Sequence, residues 1–270
     1  MTYCVGIWTR QGIVMASDSR TNAGYDQVNV CRKMHLFERP GERALALMTS
    51  GSLSISQSVI ALLRRQFDAG EGLASAPTLY DCARVIGEEV RHVSDLDRAA
   101  LERDDMRFNI HVLLGGQVAG QSPGLYLVYP QGNPLAASED TPYLQIGEVK
   151  YGRPILDRGV RYERTTLEEA AKFALISLDS TMRSNVTVGP PIDLLIYGTD
   201  ELRFLRHRRL ADKDPDLQRI HFQWEQALRK AVLELPTIEF PPMPDSAPIA
   251  RPGTEAVTDY SRTGAPPIVS

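Results

Sequence analysis

The sequence predicts a single α+β domain in which antiparallel sheets carry helices on their outer faces. Three observations lead to this expectation. Apolar, β-rich runs joined by short turns fill the first part of the chain, two stretches with helical spacing follow directly, and later β-rich runs are interrupted by two more helical stretches. Helices that follow one another after a set of strands are expected to pack together on one face of a sheet.

The first elements are strands, because apolar and β-branched residues are grouped in short runs between turn-forming residues. A polar segment separates the first hairpin from the next two strands. In order, the sequence predicts a strand over 3–9, a turn at 10–12, a strand over 13–17, the polar segment over 18–24, a strand over 33–38, a turn at 40–42 and a strand over 43–49.

The apolar spacing becomes helical after Leu53. Thr78 with Asp81 resembles a helix cap, and Thr165 or Thr166 forms a capping box with the glutamate three positions later. The later elements are helices over 53–67 and from Thr78 through Val90, strands over 108–114, 124–129 and 142–147 with turns at 115–116 and 131–133, a helix ending near Arg183, a strand over 192–197 and a helix over 215–233.

Composition and charge exclude several classes of function. The chain has 270 residues, of which 43% are hydrophobic, and a formal net charge of -4, which gives no electrostatic reason to expect nucleic acid or an anionic membrane as a partner. Neither a signal peptide nor a transmembrane run is visible, and the three cysteines, Cys4, Cys31 and Cys82, suit a reducing compartment. We therefore expect a cytoplasmic protein without a membrane partner.

Three residues with complementary chemistry converge if the first strands pair as predicted. The turn at 10–12 lies midway between Thr2 and Asp18, so a hairpin brings both to one sheet end, and the strand that starts at Lys33 can lie alongside. A threonine hydroxyl needs a base to become a nucleophile, and the free α-amino group left by removal of Met1 has a suitable pKa of about 7.7–8.0. A nearby lysine disfavours protonation of that amine, and a carboxylate holds the lysine in place.

The oxyanion of such a reaction requires a backbone N–H donor. Gly51 is the candidate, because it lies where a predicted strand ends and a helix begins. Each residue also has an ordinary structural interpretation. Thr2 could serve only Met1 removal, Asp18 could cap a turn, Lys33 could lie on the surface, and Gly51 could only relieve the strand-to-helix corner.

Four sequence segments resemble one known family. They are Met1-Thr2-Tyr3-Cys4-Val5, the string from Ala16 to Gly24 that contains Ser-Asp-Ser-Arg-Thr-Asn-Ala-Gly, Arg32-Lys33-Met34, and the run from Leu178 to Asn185. In these segments the chain resembles proteasome β-subunits, and above all their bacterial relatives called Anbu, the ancestral β-subunit. The match covers residues 2–235 and leaves residues 236–270, a proline-rich segment without periodicity, as an extended C-terminal tail.

The resemblance implies a four-layer αββα sandwich, the N-terminal nucleophile (Ntn) hydrolase fold. It implies a threonine peptidase with Thr2 as nucleophile and base, assisted by Asp18 and Lys33, and Gly51 as oxyanion donor. It also implies self-assembly into a homo-oligomeric ring or open helical structure, and no cofactor. The residues matching the pocket for the substrate residue before the scissile bond are Thr21, Cys31, Thr49 and Leu53.

The chain departs from the proteasome pattern in two segments near the expected site. A serine usual in proteasome subunits is absent from Gln145–Val149, and no acid stands in Ser184–Gly189, where the family carries an aspartate. Two alternatives therefore remain open. One is an enzyme of the same fold that hydrolyses a small amide, and the other is a non-hydrolytic assembly subunit.

Two further patterns point away from other functions. The five histidines show no zinc-like pairing, so no metal site is predicted. A basic cluster at Arg203, Arg206, His207, Arg208 and Arg209 is interpreted as a solvated or subunit-facing surface rather than a nucleic-acid site.

Overall fold

A computed structural model describes residues 2–22, 28–105 and 107–241. Within them the chain forms two five-stranded antiparallel sheets and one two-stranded hairpin. The strands are β1 (Tyr3–Thr9), β2 (Gly12–Ser17), β3 (Arg20–Asn22), β4 (Val28–Val30), β5 (Met34–Arg39), β6 (Arg43–Gly51), β7 (Ile110–Val118), β8 (Gly124–Val128), β9 (Pro134–Ala136), β10 (Tyr143–Gly147), β11 (Ile192–Gly198) and β12 (Arg206–Leu210).

The strand order is β10-β1-β2-β11-β12 in the first sheet and β5-β6-β7-β8-β9 in the second. Helices cover both, so the architecture is the αββα sandwich. A 3-10 turn at Gly72–Ala74 separates the first two helices. The helices are α1 (Leu53–Asp68), α2 (Leu79–Arg103), α3 (Arg153–Gly159), α4 (Leu167–Ser184) and α5 (Pro215–Leu233).

Each sheet is buried on both faces, which explains why its central strands are apolar throughout rather than alternating. In β1, Tyr3 and Val5 pack against α4, whereas Cys4 points into the layer between the sheets. In β6, Leu45 packs against α1 and α2, whereas Ala46 faces the inter-sheet layer. The two-residue period therefore separates outer and inner cores, not core and solvent.

Both predicted capping boxes are present. The Thr78 side chain accepts from the Asp81 N–H, and the Asp81 carboxylate accepts from the Thr78 N–H. At α4 the cap is Thr166, paired in the same way with Glu169, which resolves the choice left open with Thr165. The two reciprocal pairs satisfy N–H groups that a helix start would otherwise leave without partners.

The predicted turn at Gly115-Gly116 is wrong, because both residues lie inside β7. The glycines are there because neighbouring atoms come too close for a side chain. A Cβ on Gly115 would lie 2.5 Å from the Met15 sulfur, and one on Gly116 would lie 2.2 Å from the Ala44 oxygen. The chain reverses only after Val118, at the segment that leads into β8.

Several short elements were not predicted, namely β3, β4, β9, β12 and α3. The segment 18–24 contains β3, and its residues 23 and 24 lie outside the described chain. The basic cluster supplies β12, an edge strand whose cations pair with acids. Arg208 binds Asp214 and Asp216, and Arg209 binds Asp193.

Contacts divide the chain into two units, one ending at Arg229 and one starting at Lys230. In the second unit α5 ends at Leu233 and the described chain continues without regular structure to Pro241. The remainder of the predicted tail lies outside the described residues. Among the helices that are described, none combines the length and the apolar character that crossing a lipid bilayer requires.

Candidate active site

The β1–β2 hairpin brings Thr2 and Asp18 to one edge of the first sheet. Cys4 pairs with Ser17, so the start of β1 lies beside the end of β2. The Tyr3 N–H donates to Asp18 Oδ1 at 3.0 Å, and the Asp18 N–H donates to the Tyr3 oxygen at 3.1 Å. Asp18 is therefore fixed beside the residue that follows Thr2.

Asp18 is fully buried and accepts hydrogen bonds on both carboxylate oxygens. Lys33 Nζ lies 2.6 Å from Oδ1 and also donates to the Arg20 oxygen at 2.8 Å. The N–H groups of Arg20 and Gly189 donate to Oδ2 at 3.3 and 3.2 Å. Four donors, including the Tyr3 N–H, suit an ionised carboxylate, which can only accept.

The electrostatics of Asp18 combine opposing effects. Burial raises the pKa of the Asp18 carboxyl above its ordinary value, and the charge and hydrogen bond of Lys33 lower it, as do the N–H groups of Tyr3 and Gly189. Lys33 itself is 5% exposed, so the ion pair is held away from solvent. Such a pair is held in one geometry by its buried surroundings, unlike a mobile surface ion pair.

A cleft with a volume of about 660 Å³ opens above this pair. Thr2, Lys33 and Gly51 all line it, which brings the predicted nucleophile, lysine and oxyanion donor to one space. Of the predicted substrate-binding residues, Thr21, Thr49 and Leu53 line the cleft as well. Cys31 is half-buried and lies outside the lining. Asp18 does not line the cleft, and it is connected to the cleft by its ion pair with Lys33.

Gly147 and Glu148 hold the backbone of Thr2, and the sequence did not single them out as site residues. Tyr3 pairs with Gly147 across β1 and β10, and the Glu148 N–H donates to the Thr2 oxygen at 2.7 Å. Gly147 has φ +88°, and a Cβ there would lie 1.9 Å from the Thr2 oxygen. A glycine is therefore required next to the candidate nucleophile.

The segment that lacks the expected acid contacts a carboxylate from another part of the chain. Asn185 Nδ2 donates to Glu148 Oε2 at 3.0 Å, and Asn185 Oδ1 accepts from the Thr187 N–H at 3.0 Å. The neighbouring Gly189 N–H binds Asp18. The amide at 185 thus joins Glu148 to the loop that supports Asp18.

Gly51 ends β6 at the entrance to α1. Its φ is +112°, and a Cβ there would lie 2.2 Å from the Asn109 oxygen, so this corner also requires glycine. Ser52 is the N-cap of α1, and its side chain makes no capping hydrogen bond to the described residues. The first turn of a helix has N–H groups without intrahelical partners, and here that turn borders the cleft through Ser52 and Leu53.

The sequence did not indicate several other residues of the cleft, because they reach it through strand pairing with residues that are distant in sequence. His111 lies in β7 and Asn109 immediately precedes that strand, which pairs with β6 at Gly51. Burial lowers the pKa of His111, which favours its neutral form. Only long-range strand pairing places these residues at the site, and no local motif indicates them. The cleft lining not yet mentioned is Arg32, Ser50, Ser56 and Arg107.

Comparison with known proteins shows which family has this fold. No family model matches the chain. A proteasome β-subunit of Haloferax volcanii is 26% identical over 209 residues, which is 77% of each chain. A solved structure of Anbu from Yersinia bercovieri is 41% identical, with a TM-score of 0.83 over 88% of this chain and 99% of that one.

A helical assembly of the Anbu complex from Pseudomonas aeruginosa is 43% identical, with a TM-score of 0.83 over 88% of this chain and 98% of that one. The chain belongs to the Anbu family. Its fold is the proteasome β-subunit-like Ntn fold, and the family is of the proteasome peptidase type. The Anbu resemblance seen in the sequence is thus confirmed.

Proposed function

We propose that this Anbu protein is a threonine-type peptidase or amidohydrolase whose nucleophile is Thr2. The observation that carries the proposal is the common cleft of Thr2, Lys33 and Gly51, with Lys33 anchored on the buried Asp18 carboxylate. A nucleophile, a fixed cation and a potential oxyanion donor around one space are the parts that acyl transfer needs.

In the proposed reaction, Thr2 Oγ attacks the carbonyl carbon of the scissile amide and its proton passes to the free α-amine of Thr2. The oxyanion that forms accepts a hydrogen bond from the Gly51 N–H. Collapse breaks the C–N bond as the ammonium returns the proton to the leaving amine. Water then hydrolyses the Thr2 ester by the same proton route.

Lys33 has an electrostatic role in this proposal. Lys33 lines the cleft together with Thr2, so its positive charge disfavours the protonated form of the amine and keeps the base available near neutral pH. Asp18 acts only through Lys33 and through the Tyr3 N–H, and is therefore a positioning residue.

The test is cleavage of a broad peptide library by protein whose intact mass corresponds to Met1 removal. We expect an ester adduct of one acyl group on Thr2 with an electrophilic peptide probe, and loss of both adduct and cleavage in Thr2→Ala. Thr2→Ser keeps a hydroxyl and should keep measurable activity. Cleavage that persists in Thr2→Ala would overturn the mechanism.

A second candidate, a non-hydrolytic assembly subunit, is favoured by Asn185, an amide in the segment where proteasome subunits have an acid. Retention of Met1 in the purified protein would favour this candidate, because it blocks the amine. A specialised Ntn amidase is separated from a general peptidase by comparing small amides with unfolded chains as substrates.

Self-assembly is part of the proposal. It is supported by the helical assembly formed by the Pseudomonas aeruginosa relative. Analytical ultracentrifugation should give a mass that is a multiple of 30.0 kDa and grows with concentration if the assembly is open. A monomer at all concentrations would contradict this part alone.

A further inference from the structure

The cleft around Thr2 contains more positive charge than the Lys33–Asp18 pair accounts for. Arg32 and Arg107 both line it and both are exposed. Within residues 2–22, 28–105 and 107–241, neither guanidinium has a hydrogen-bond or ion-pair partner. Two cations without counter-charges therefore border the candidate nucleophile, one from the segment before β5 and one from the segment before β7.

No carboxylate of the described chain lines the cleft to balance them. Asp18 is fully buried and bound to Lys33. The Glu148 carboxylate lies close by but is engaged, at 3.0 Å from Asn185 Nδ2 and 3.6 Å from Lys150 Nζ. The excess positive charge is thus a property of the cleft and not of one isolated side chain.

The rest of the lining also suits an anion. Thr49 and Ser50 place hydroxyl groups, which can donate hydrogen bonds, along the end of β6. The N-terminus of α1 borders the cleft and has no acidic residue in its first turn. A helix N-terminus carries partial positive charge and favours a negative group nearby. The arginines, the hydroxyl groups and the N-terminus of α1 therefore all favour the binding of a negatively charged group.

We propose that the cleft selects peptides with an acidic residue at the cleavage position, so that the glutamate or aspartate carboxylate binds Arg32 and Arg107 while Thr2 attacks that residue's carbonyl carbon. This inference rests on the peptidase function proposed above. A planar guanidinium binds a carboxylate with two parallel hydrogen bonds, which gives geometry as well as attraction. A basic residue at the same position meets like charge and is disfavoured.

The experiment compares two peptides that differ only in Glu against Gln at the acyl side of the cleaved bond. Binding is measured by fluorescence anisotropy on full-length Thr2→Ala, which does not turn over, and cleavage by mass spectrometry on the wild type. We expect the Glu peptide to bind about tenfold more tightly, the ratio that one charge-assisted contact gives, and to weaken as salt rises.

Arg32→Gln and Arg107→Gln, each made in the Thr2→Ala protein, should reduce the Glu preference. The matched control is Arg65→Gln, because Arg65 is an exposed arginine of α1 outside the cleft lining, and it should leave the preference unchanged. Equal affinity for both peptides, no measurable binding of either, or a preference that survives in both cleft variants overturns the proposal.

The binding measurement and the cleavage measurement together distinguish a failure of this proposal from a failure of the peptidase function. Thr2-dependent cleavage with no Glu preference overturns the selectivity and supports the peptidase. Glu-selective binding to Thr2→Ala without any cleavage by the Met1-processed wild type supports the anion selectivity and overturns the peptidase.

Discussion

Asp18 is a carboxylate without solvent contact that is stable only because of its partners. Transfer of a charge into a protein interior costs several kcal/mol unless an opposite charge and hydrogen bonds compensate it. Lys33 provides the charge, and the N–H groups of Tyr3, Arg20 and Gly189 provide the hydrogen bonds. The residues that support Thr2 are therefore also residues on which the stability of this sheet edge depends.

Lys33→Ala should abolish turnover and lower the free energy of unfolding by about 3–5 kcal/mol, because it leaves the Asp18 charge buried without its cation. The double variant Asp18→Asn/Lys33→Met removes both charges, so it should regain most of the stability without regaining activity. Urea denaturation and peptide cleavage measure the two effects separately. A Lys33→Ala protein that is as stable as the wild type would contradict the role of the ion pair.

The sequence allowed some site residues to be predicted and not others. Thr2 and Asp18 are related by one hairpin, whose turn can be read locally, so their proximity follows from strand lengths. Gly147 and Glu148 reach Thr2 only because β10 pairs with β1 across more than a hundred intervening residues. No periodicity in either strand specifies that pairing, because both sheet faces are buried.

Strand β10 determines the shape of the site at the level of elements, since its last residue lies against the candidate nucleophile. Gly147→Ala combines a φ of +88° with a Cβ only 1.9 Å from the Thr2 oxygen. We expect it to displace Thr2 and to lower kcat at least about tenfold, as small misplacements of reacting groups do. Peptide cleavage under saturating substrate measures the loss.

Gly120→Ala is the matched control for that variant. Its φ is +80°, close to that of Gly147, but no atom lies within 4 Å of the added Cβ. It should therefore cost about 1–2 kcal/mol of stability from the left-handed backbone alone and leave kcat unchanged. Equal losses of activity in the two variants would show that the contact with Thr2 is unimportant.

The capping box of α4 gives a second prediction for an element. Thr166→Ala removes the acceptor for the Glu169 N–H and should lower the free energy of unfolding by about 1 kcal/mol, whereas Thr166→Ser should keep the cap. The α4 start contacts Gln11, which belongs to the β1–β2 turn, at the end of the hairpin away from Thr2. Activity should therefore be unaffected, and thermal denaturation is the measurement.

Helices with strong caps and long apolar periodicity were predictable, whereas short edge elements were not. The boundaries of α5 follow from its pattern, and β12 is hidden because its residues are basic and pair with acids rather than with a core. The Gly115-Gly116 pair led to the wrong prediction of a turn, because glycine pairs are typical of turns. In the structure, Gly115 instead permits the close approach of Met15 from the opposite sheet.

For the molecule as a whole, acid stability should depend on His35 in β5. Burial, and then the nearby charge of Arg64, lowers the pKa of His35 from 6.5 to about 4. The unfolded chain therefore binds a proton between these pH values that the folded chain does not, so stability falls as pH drops from 6.5 toward 4.

His35→Gln should flatten this dependence, by on the order of 2 kcal/mol at pH 4 once partial solvent exposure is allowed for. Urea denaturation at several pH values between 4 and 7 measures it. His92→Gln is the control, because His92 is exposed on α2. An unchanged slope in His35→Gln would show that other groups determine the acid response.

The bonds that hold Thr2 have a practical consequence for anyone who produces the protein. The Thr2 carbonyl is fixed by Glu148 and the next N–H by Asp18, so the direction of the chain at Thr2 is set by folding and not by what precedes it. Because Thr2 lines the cleft, a purification tag fused ahead of it would start inside that space. Such a fusion would also convert the α-amine of Thr2 into an amide, so under the proposed mechanism the tagged protein should be inactive in a cleavage assay.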